Sequence, residues 1–434
     1  MDRLLMEKLV AWKDSPNRKP LILNGARQVG KTWLLKEFGR AHFSNVAYVN
    51  LDNNPQMSAQ FDEGYDIPRI LLAIQAETGE RITPGETLII FDEMQECPKA
   101  VTSLKYFCEE APQQAIVAAG SLLGLSFHQG TGYPVGKVET LDLFPLSFRE
   151  FLDATGNGAL RGLIDAGDES LLQPFAPKLV PLLRQYYYVG GMPEAVATFA
   201  ASGVLADARK VQEQILFGYE RDISKHLNAT QAEFTLSAWN SIPAHLGQEN
   251  KRFVFGHIKE GARARDYRSA ITWLTKAGIA VRVPRVSKPG IPLSAYADES
   301  IFKLYLLDVG LLGAMSGLDQ QSIVGESRIF TEFKGALTEQ YVCQQLVSDC
   351  GTKPCYWSAE NSRGEIDFLA QSGGRVYPIE VKAEENVRSK SLSAFSQRYE
   401  DVLPRRFSLS GFRDEGWMKN VPLYAIGNSA YWAN

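Results

Sequence analysis

The stretch "LILNGARQVGKT", residues 21–32, decides the fold of this 434-residue chain. A short apolar run precedes a loop with the pattern G-x-x-x-x-G-K-[ST] from Gly25 to Thr32, and a helical pattern follows it. The glycines let the loop curl so that its N–H groups face phosphates, while Lys31 reaches the β/γ-phosphates and the Thr32 hydroxyl binds Mg²⁺. The stretch therefore predicts a strand, a phosphate-binding loop and a helix that together bind ATP or a related nucleoside triphosphate.

The predicted nucleotide contacts are the whole loop and the next helical residue. They are Gly25, Ala26, Arg27, Gln28, Val29, Gly30, Lys31, Thr32 and Trp33.

A second apolar strand, "TLIIFDE" at 87–93, supplies the other half of the predicted site. It resembles a Walker B strand that ends at the carboxyl edge of a parallel sheet, where ligands bind. Asp92 is expected to hold Mg²⁺ through water, and Glu93 to polarise the attacking water. The alternative is a buried strand followed by a carboxylate that caps a helix. Ser121, at the end of "AIVAAGS", is a candidate γ-phosphate sensor or a helix N-cap.

The order of the patterns predicts the architecture. Over residues 1–144, apolar strands alternate with helices, which predicts an α/β fold with a parallel sheet covered on both faces. Residues 145–228 are mostly helical and are predicted to form a lid. Three helices and a β-ribbon over 229–317 indicate a winged helix, and residues 318–434 indicate another α/β unit.

Composition sets limits on the class of protein. Hydrophobic residues make up 45% and charged residues 22% of the chain, and the formal net charge is −4. Five cysteines without a CxxC pair favour a reducing compartment. Without an apolar signal core or an apolar run long enough to span a bilayer, we expect a cytoplasmic protein with no membrane partner. Any contact of such an acidic protein with nucleic acid is expected to be local or to depend on the ligand state.

Several motifs together resemble those of predicted bacterial and archaeal AAA-superfamily ATPases with a C-terminal domain of unknown function. Besides the two Walker motifs, these are "AAGSLLGL", "LFPLSFREFL", "GGMPEA", "YERDI" and "LYLLDVGLL". The resemblance covers nearly the whole chain and implies a P-loop core, a small helical region, a winged helix and an α/β tail.

The resemblance also suggests roles for residues beyond the Walker motifs. Pro193 in "GGMPEA" is a candidate neighbour of the adenine, or part of a turn. Arg221 in "YERDI" is the first candidate for a trans-acting arginine that stabilises charge on the transferred phosphoryl group, and Arg149 in "SFREF" is the second. The alternative is that each arginine pairs with its neighbour, Glu220 or Glu150, on a helix surface.

The tail contains "GEIDFLAQSGGRVYPIEVK", residues 364–382. Asp367, Glu380 and Lys382 resemble the PD-(D/E)xK nuclease core, in which two acids hold Mg²⁺ and a lysine positions water. Glu339 would be the helix acid of that arrangement, so this restriction-endonuclease-like tail has a predicted metal site at Glu339, Asp367 and Glu380. "GEID" lacks the proline that names the motif.

The hairpin register tests that hypothesis. A two-residue turn at Ser372-Gly373 puts Glu365 opposite Glu380 and places Asp367, Glu380 and Lys382 on one strand face. A three-residue turn moves Asp367 to the other face, so a nuclease-like site requires the shorter turn or a bulge. The alternative is an exposed edge hairpin with Lys382 as counter-ion.

Two hypotheses for the whole chain remain open. In the first, an ATP-driven enzyme acts on DNA through the tail and through Arg263, Arg265 and Arg268 on the recognition helix of the winged helix. In the second, a nucleotide-dependent switch or scaffold binds a protein partner, with an inactive nuclease-like tail. The sequence does not decide between a monomer and an oligomer.

Overall fold

The computed structural model describes residues 1–120, 134–320, 331–359, 364–383 and 389–434. Its contacts divide the chain into two compact units. The N-terminal unit is Asp2–Phe144 with Lys276–Gly278, and the C-terminal unit is Pro145–Thr275 and Ile279–Asn434 with Met1. Apart from Lys276–Gly278, the residues of the predicted lid, winged helix and tail belong to the C-terminal unit.

A five-stranded parallel sheet forms the centre of the N-terminal unit, with strand order β2-β3-β4-β1-β5. Of the three inner strands, β3 and β4 are buried along their whole length, as expected for uninterrupted apolar runs in a parallel sheet. The strands are β1 Leu21–Asn24, β2 Asn45–Asn50, β3 Thr87–Asp92, β4 Ala115–Ala119 and β5 Glu139–Asp142.

Five described helices accompany this sheet. Local chemistry sets their ends: Asp66 caps the fourth helix by accepting the Arg69 N–H at 3.0 Å, and Gly79 ends it in the left-handed conformation. The helices are α1 Leu5–Asp14, α2 Lys31–His42, α3 Pro55–Asp62, α4 Ile67–Thr78 and α5 Pro98–Glu110.

The C-terminal unit begins with a run of helices. The first of them starts in a capping box, in which Ser147 and Glu150 each bind the other's backbone N–H. The helices are α6 Phe148–Ala154, α7 Gly158–Asp165, α8 Glu169–Leu172, α9 Ala176–Val189, α10 Pro193–Ser202, α11 Leu205–His226, α12 Ala229–Asn240, α13 Ile242–Leu246, α14 Ala264–Lys276, α15 Val309–Met315, α16 Thr331–Ser348 and α17 Lys390–Arg398.

An eight-stranded mixed sheet completes the C-terminal unit, in the order β12-β13-β11-β10-β9-β8-β6-β7. Its strands are β6 Ala280–Val286, β7 Ala297–Leu306, β8 Cys355–Ser358, β9 Glu365–Ser372, β10 Arg375–Val381, β11 Arg405–Ser408, β12 Arg413–Asp414 and β13 Lys419–Pro422.

The sheet contains strands from both sides of the predicted domain boundary between residues 317 and 318. The β6–β7 hairpin, expected as the wing of a separate domain, pairs in parallel with β8 of the tail through Arg285↔Tyr356 and Val286↔Trp357. An unpaired strand edge presents free N–H and C=O groups that another strand can satisfy, and β8 satisfies those of β6. The hairpin therefore continues the sheet of the tail. None of the described helices combines the length and the apolar composition that a membrane span requires.

Candidate functional site: a P-loop facing a Walker B carboxylate

The loop between β1 and α2 has the curled backbone that a phosphate site requires. Gln28 and Gly30 have positive φ angles of 65° and 93°. At Gly25, a Cβ atom would lie 2.5 Å from the carbonyl oxygen of Leu143, so no larger residue fits there. Lys31 and Thr32 then begin helix α2, whose N-terminus carries free N–H groups.

The Lys31 ammonium folds back over its own loop. Its Nζ donates to the carbonyl oxygens of Gly25 at 2.9 Å and Ala26 at 2.8 Å. Burial lowers the pKa of Lys31 to about 8, against the opposing effect of Glu93 and Asp92. A buried ammonium that is held only by neutral carbonyls is poised to exchange them for anionic phosphate oxygens.

Asp92 joins the two Walker motifs. Strands β1 and β3 are separated by β4 and run parallel, so that the ends of both reach the same edge of the sheet. There the Thr32 hydroxyl donates to Asp92 Oδ2 at 2.7 Å, and the Tyr48 hydroxyl donates to the same oxygen at 2.9 Å. Burial and the Asp92 charge raise the pKa of Tyr48, which keeps the phenol protonated as a donor.

Sequence reasoning missed Tyr48, because the stretch "NVAYVNLD", residues 45–52, has the pattern of one of the apolar strands of the predicted parallel sheet and carries no motif. The parallel pairing of β2 with β3 puts Tyr48 beside Ile90 and Asn50 beside Asp92. A tyrosine two positions before the strand end, on the same face as Asn50, was the signal available in the sequence.

Glu93 follows Asp92 in a strained conformation. Its φ is 52°, in the left-handed region that non-glycine residues seldom adopt. The amide of Gln95 donates to its carboxylate, and its own N–H donates to Asp92 Oδ1 at 3.0 Å. Strain of this kind is often found at functional positions.

These groups fit a nucleotide with a divalent cation. A hydroxyl and a carboxylate 2.7 Å apart provide the oxygen ligands that Mg²⁺ prefers, directly or through water. The loop and Lys31 provide donors for phosphate oxygens. Trp33 is 46% exposed in the first turn of α2.

The other residues predicted for the nucleotide site are Ser121, Pro193 and the two candidate arginines. Ser121 lies outside the described residues. Pro193 is the first residue of α10 in the C-terminal unit. Arg221 is exposed on α11, with its guanidinium 5.3 Å from the centroid of the Phe217 ring and not on Glu220.

Arg149 is held by two carboxylates of the C-terminal unit. Its Nε lies 3.0 Å from Asp349 and its Nη1 lies 2.7 Å from Asp165. These partners differ from the Glu150 pairing considered from the sequence, because Glu150 is occupied by the capping box. Burial raises the pKa of Asp349 to about 6, although Arg149 opposes that shift.

Asp308 connects two of the family motifs inside the C-terminal unit. Its Oδ2 accepts the N–H of Gly191 in "GGMPEA" at 2.6 Å, and its Oδ1 accepts the N–H of Leu311 at 3.0 Å. The Gly191 carbonyl accepts the N–H of Leu146 at 2.6 Å. These buried contacts give "LFPLSF", "GGMPEA" and "LYLLDVGLL" a shared structural role that the sequence did not suggest.

The hairpin of the tail has a different register from the predicted one. The turn is Gly373-Gly374, both with positive φ, and Arg375 pairs with Ser372. Two residues with positive φ form the tight turn that hairpins favour, and glycine adopts this conformation without strain. The predicted Ser372-Gly373 turn is therefore wrong, since it would require a positive φ at a serine.

A bulge also interrupts β9. Cys355 of β8 pairs with Leu369 of β9, and Trp357 of β8 pairs with Ile366 of β9. Between these two pairs, β8 advances by two residues and β9 by three. The extra residue belongs to the pairing of β9 with β8. On the other side of β9, the turn lies one residue later than predicted and shifts every β9–β10 pair by two positions, so Glu365 does not pair with Glu380 as predicted. Glu365 instead contacts Lys303 of β7 at 2.5 Å.

The predicted metal ligands of the tail are engaged with other partners. Glu339 on α16 contacts Lys251 and accepts from the Tyr305 hydroxyl at 3.2 Å. Glu380 Oε1 lies 2.9 Å from the Lys382 ammonium, whereas Glu380 Oε2 is buried with no hydrogen-bond partner among the described residues.

Asp367 is the third of these candidates, and it accepts the Val381 N–H at 2.8 Å. Burial and the charge of Glu339 raise the pKa of Asp367 to about 7. Within the described ranges, no group of three or more His, Cys, Asp or Glu side chains is arranged to hold a metal ion.

The basic residues of the presumed recognition helix are exposed. Arg263 immediately precedes α14, Arg265 and Arg268 lie in its first turns, and Arg265 is 3.4 Å from Asp266.

Comparison with known proteins agrees with the geometry of the N-terminal site. Residues 17–152 match the family model described as "AAA domain". Residues 180–322 and 334–415 match two models described as domains of unknown function, DUF8612 and DUF4143. No curated protein matched the chain.

Several solved structures match the chain at low sequence identity. The Walker-type ATPase PABY2304 of Pyrococcus abyssi is 13% identical over 73% of this chain and 95% of its own, with a TM-score of 0.46. The Aeropyrum pernix Orc1 protein in complex with DNA is 15% identical over 72% of this chain and 90% of its own, with a TM-score of 0.31. The Thermotoga maritima RuvB Holliday junction branch migration motor is 14% identical over 65% of this chain and 90% of its own, with a TM-score of 0.30. The family model rather than these likenesses gives the assignment: the chain contains an AAA-type P-loop domain within residues 17–152.

Proposed function

We propose that the chain binds ATP with Mg²⁺ and hydrolyses it to ADP and phosphate. The observation that carries this proposal is the 2.7 Å hydrogen bond from Thr32 to Asp92, which brings the end of the P-loop and the end of the Walker B strand to one point. A P-loop alone supports phosphate binding, whereas the added carboxylate supports a metal-assisted reaction.

The residues have distinct roles in this mechanism. The loop N–H groups and Lys31 bind the phosphates, and Lys31 gives up the carbonyls of Gly25 and Ala26 to do so. Thr32 and Asp92 hold the metal, which neutralises charge on the phosphate oxygens when bound. Glu93 orients a water molecule for attack on the γ-phosphate and accepts its proton.

A substitution of the proposed base tests hydrolysis separately from binding. Glu93→Gln should bind ATP as the unaltered protein does but release phosphate about 100-fold more slowly or worse, because an amide cannot accept the proton. The matched control is Glu96→Gln, since Glu96 is an exposed carboxylate three residues away. Equal turnover in Glu93→Gln and the control would remove Glu93 from the mechanism.

The other nucleotide roles belong to the proposal as well. Arg221 is exposed and stacks on Phe217, and among the described residues no carboxylate forms a salt bridge with it. Arg149, in contrast, is paired with Asp165 and Asp349, which favours Arg221 as the trans-acting arginine. Arg221→Ala should lower turnover while leaving ATP binding intact, and unchanged turnover would exclude it. Ser121 as γ-phosphate sensor and Pro193 beside the adenine remain expectations from the sequence.

DNA is a candidate partner, supported by the exposed arginines at the start of α14. Three phosphate contacts of this kind would contribute a salt-dependent affinity. We expect the combined change of Arg263, Arg265 and Arg268 to Ala to weaken binding of a labelled duplex by about 10-fold or more. It should also flatten the salt dependence of that binding.

The control for this experiment is Arg413→Ala, because Arg413 is an equally exposed arginine on β12. Equal DNA affinity for the triple variant and the control would leave a protein partner as the favoured ligand of this surface. ATP hydrolysis measured with and without DNA would then report whether DNA acts on the enzyme at all.

A further inference from the structure

The carboxylates of the tail surround a buried lysine. Lys303 comes from β7, and its side chain has no exposed surface. Its Nζ lies 2.5 Å from Glu365 Oε1 and 3.7 Å from Glu339 Oε2, and 5.0 Å from the centroid of the Tyr356 ring. A buried ammonium is stable only when opposite charge surrounds it, and these two carboxylates supply that charge.

A second lysine completes the neutralisation. Lys251 contacts Glu339 Oε1, and the Tyr305 hydroxyl donates to Glu339 Oε2 at 3.2 Å. Both oxygens of Glu339 are therefore engaged. The Glu339 side chain is 6% exposed, so that little of it is open to a ligand from solvent.

The charges of this cluster nearly balance without a metal. Glu339, Glu365 and Asp367 provide three carboxyl groups, and Lys251 and Lys303 provide two ammonium groups. A divalent cation placed among them would lie beside two positive charges at short range, which costs energy in a buried site. Glu380, the remaining predicted ligand, has one carboxylate oxygen, Oε1, 2.9 Å from the Lys382 ammonium.

We infer that the Lys303 ammonium occupies the cation position of the nuclease-like carboxylate cluster, and that the tail binds no divalent metal there. In this arrangement the tail has no metal-dependent nuclease activity. Lys303 instead ties the β6–β7 hairpin to α16 and β9, which makes the cluster a structural junction. This inference is independent of the ATP site, because all of its residues belong to the C-terminal unit.

Metal titration of the full-length protein tests the inference. Calorimetry with Mn²⁺, in the absence of nucleotide, would compare the unaltered protein with Asp367→Asn. We expect the two isotherms to agree within about twofold in affinity, since Asp367 is not a metal ligand, and neither protein to nick supercoiled plasmid with Mg²⁺ or Mn²⁺. A Mn²⁺ site or a plasmid-nicking activity that is lost in Asp367→Asn would overturn the inference. Weak metal binding at the P-loop is common to both proteins and does not affect the comparison.

Removal of the lysine provides the second test. Lys303→Gln should lower the melting temperature at neutral pH by at least about 5 °C, because the carboxylates then lack their counter-ion. Added Mn²⁺ should restore part of that loss. The control is Lys288→Gln, since Lys288 is an exposed lysine of the same hairpin connection. A melting temperature for Lys303→Gln equal to that of the control would contradict the role given to Lys303. If Lys303→Gln does not fold, the comparison of the unaltered protein with Asp367→Asn decides alone.

Discussion

Lys31 bears an electrostatic cost that the nucleotide would relieve. Burial lowers its pKa to about 8, and its present partners are two neutral carbonyl groups. A triphosphate brings negative charge to the same ammonium and would raise its pKa again. Part of the binding free energy of ATP is therefore expected to come from recharging and pairing this one side chain.

Asp349 gives a prediction about pH at the residue scale. Burial raises its pKa to about 6 from an ordinary value of 3.8, so that the folded protein holds this proton more tightly than the unfolded chain does. The stability contributed by this group is therefore highest below about pH 4 and falls as the pH rises to about 6. The charged groups that face it are Arg149, and Asp165 and Glu150 beside Arg149.

Asp349→Asn removes this titration. Between pH 4 and 7 the stability of the unaltered protein should fall relative to that of the variant, by about 1–3 kcal/mol in total. Denaturant unfolding of both proteins across this range provides the measurement. A difference in stability that does not change with pH, or that changes in the opposite direction, would show that the pKa of Asp349 is not raised.

At this scale, the sequence predicted the groups whose spacing is fixed by a motif. Thr32 and Asp92 meet at one edge of the sheet and Lys31 lies over the loop, because a P-loop and a strand end allow few arrangements. The roles of these residues toward a nucleotide stay predictions. Tyr48 and Lys303 could not be predicted in the same way. Each reaches its partner through pairing of strands far apart in the chain, and the sequence alone does not give that pairing.

The "GGMPEA" turn carries the prediction at the scale of elements. A Cβ atom on Gly191 would lie 2.0 Å from the carbonyl oxygen of Leu146, a backbone atom that cannot easily move. Gly191→Ala should destabilise the protein by about 2–4 kcal/mol and lower its melting temperature by about 5–10 °C. Thermal unfolding followed by circular dichroism provides the measurement.

Gly162→Ala is the matched control for this variant. Gly162 is exposed on α7 and has no atom near the position of an added Cβ. Alanine in a helix is favoured over glycine, so this change should be neutral or stabilising by up to about 1 kcal/mol. Equal melting temperatures for the two variants would show that the turn at Gly191 can shift without cost.

The sequence predicted the positions of the strands better than the residues through which neighbouring strands pair. The strands of the N-terminal sheet were evident from apolar runs, whereas the β9–β10 hairpin differs from the prediction in its turn and contains a bulge. Turn position depends on which residues tolerate positive φ, and "SGG" offers more than one choice. A bulge leaves no local pattern in the sequence that alternation of side chains could reveal.

At the scale of the whole molecule, the division into separate domains was the least predictable feature. The sequence placed a boundary at 317/318, but β6 pairs with β8 across it. Such pairing brings together residues about 70 positions apart, and hydrophobic patterns report only on neighbours along the chain. The division into a lid, a winged helix and a tail remains a prediction, within a C-terminal unit whose sheet is continuous.

The central claim is that the P-loop of the N-terminal unit binds ATP, and equilibrium binding of labelled ATP tests it most directly. Lys31→Ala should weaken binding by at least about 30-fold, because two or more charge-assisted hydrogen bonds to phosphate are lost. Lys105→Ala, which removes an exposed lysine of α5, should bind as the unaltered protein does. Equal affinity of the unaltered protein and Lys31→Ala for ATP would contradict the account.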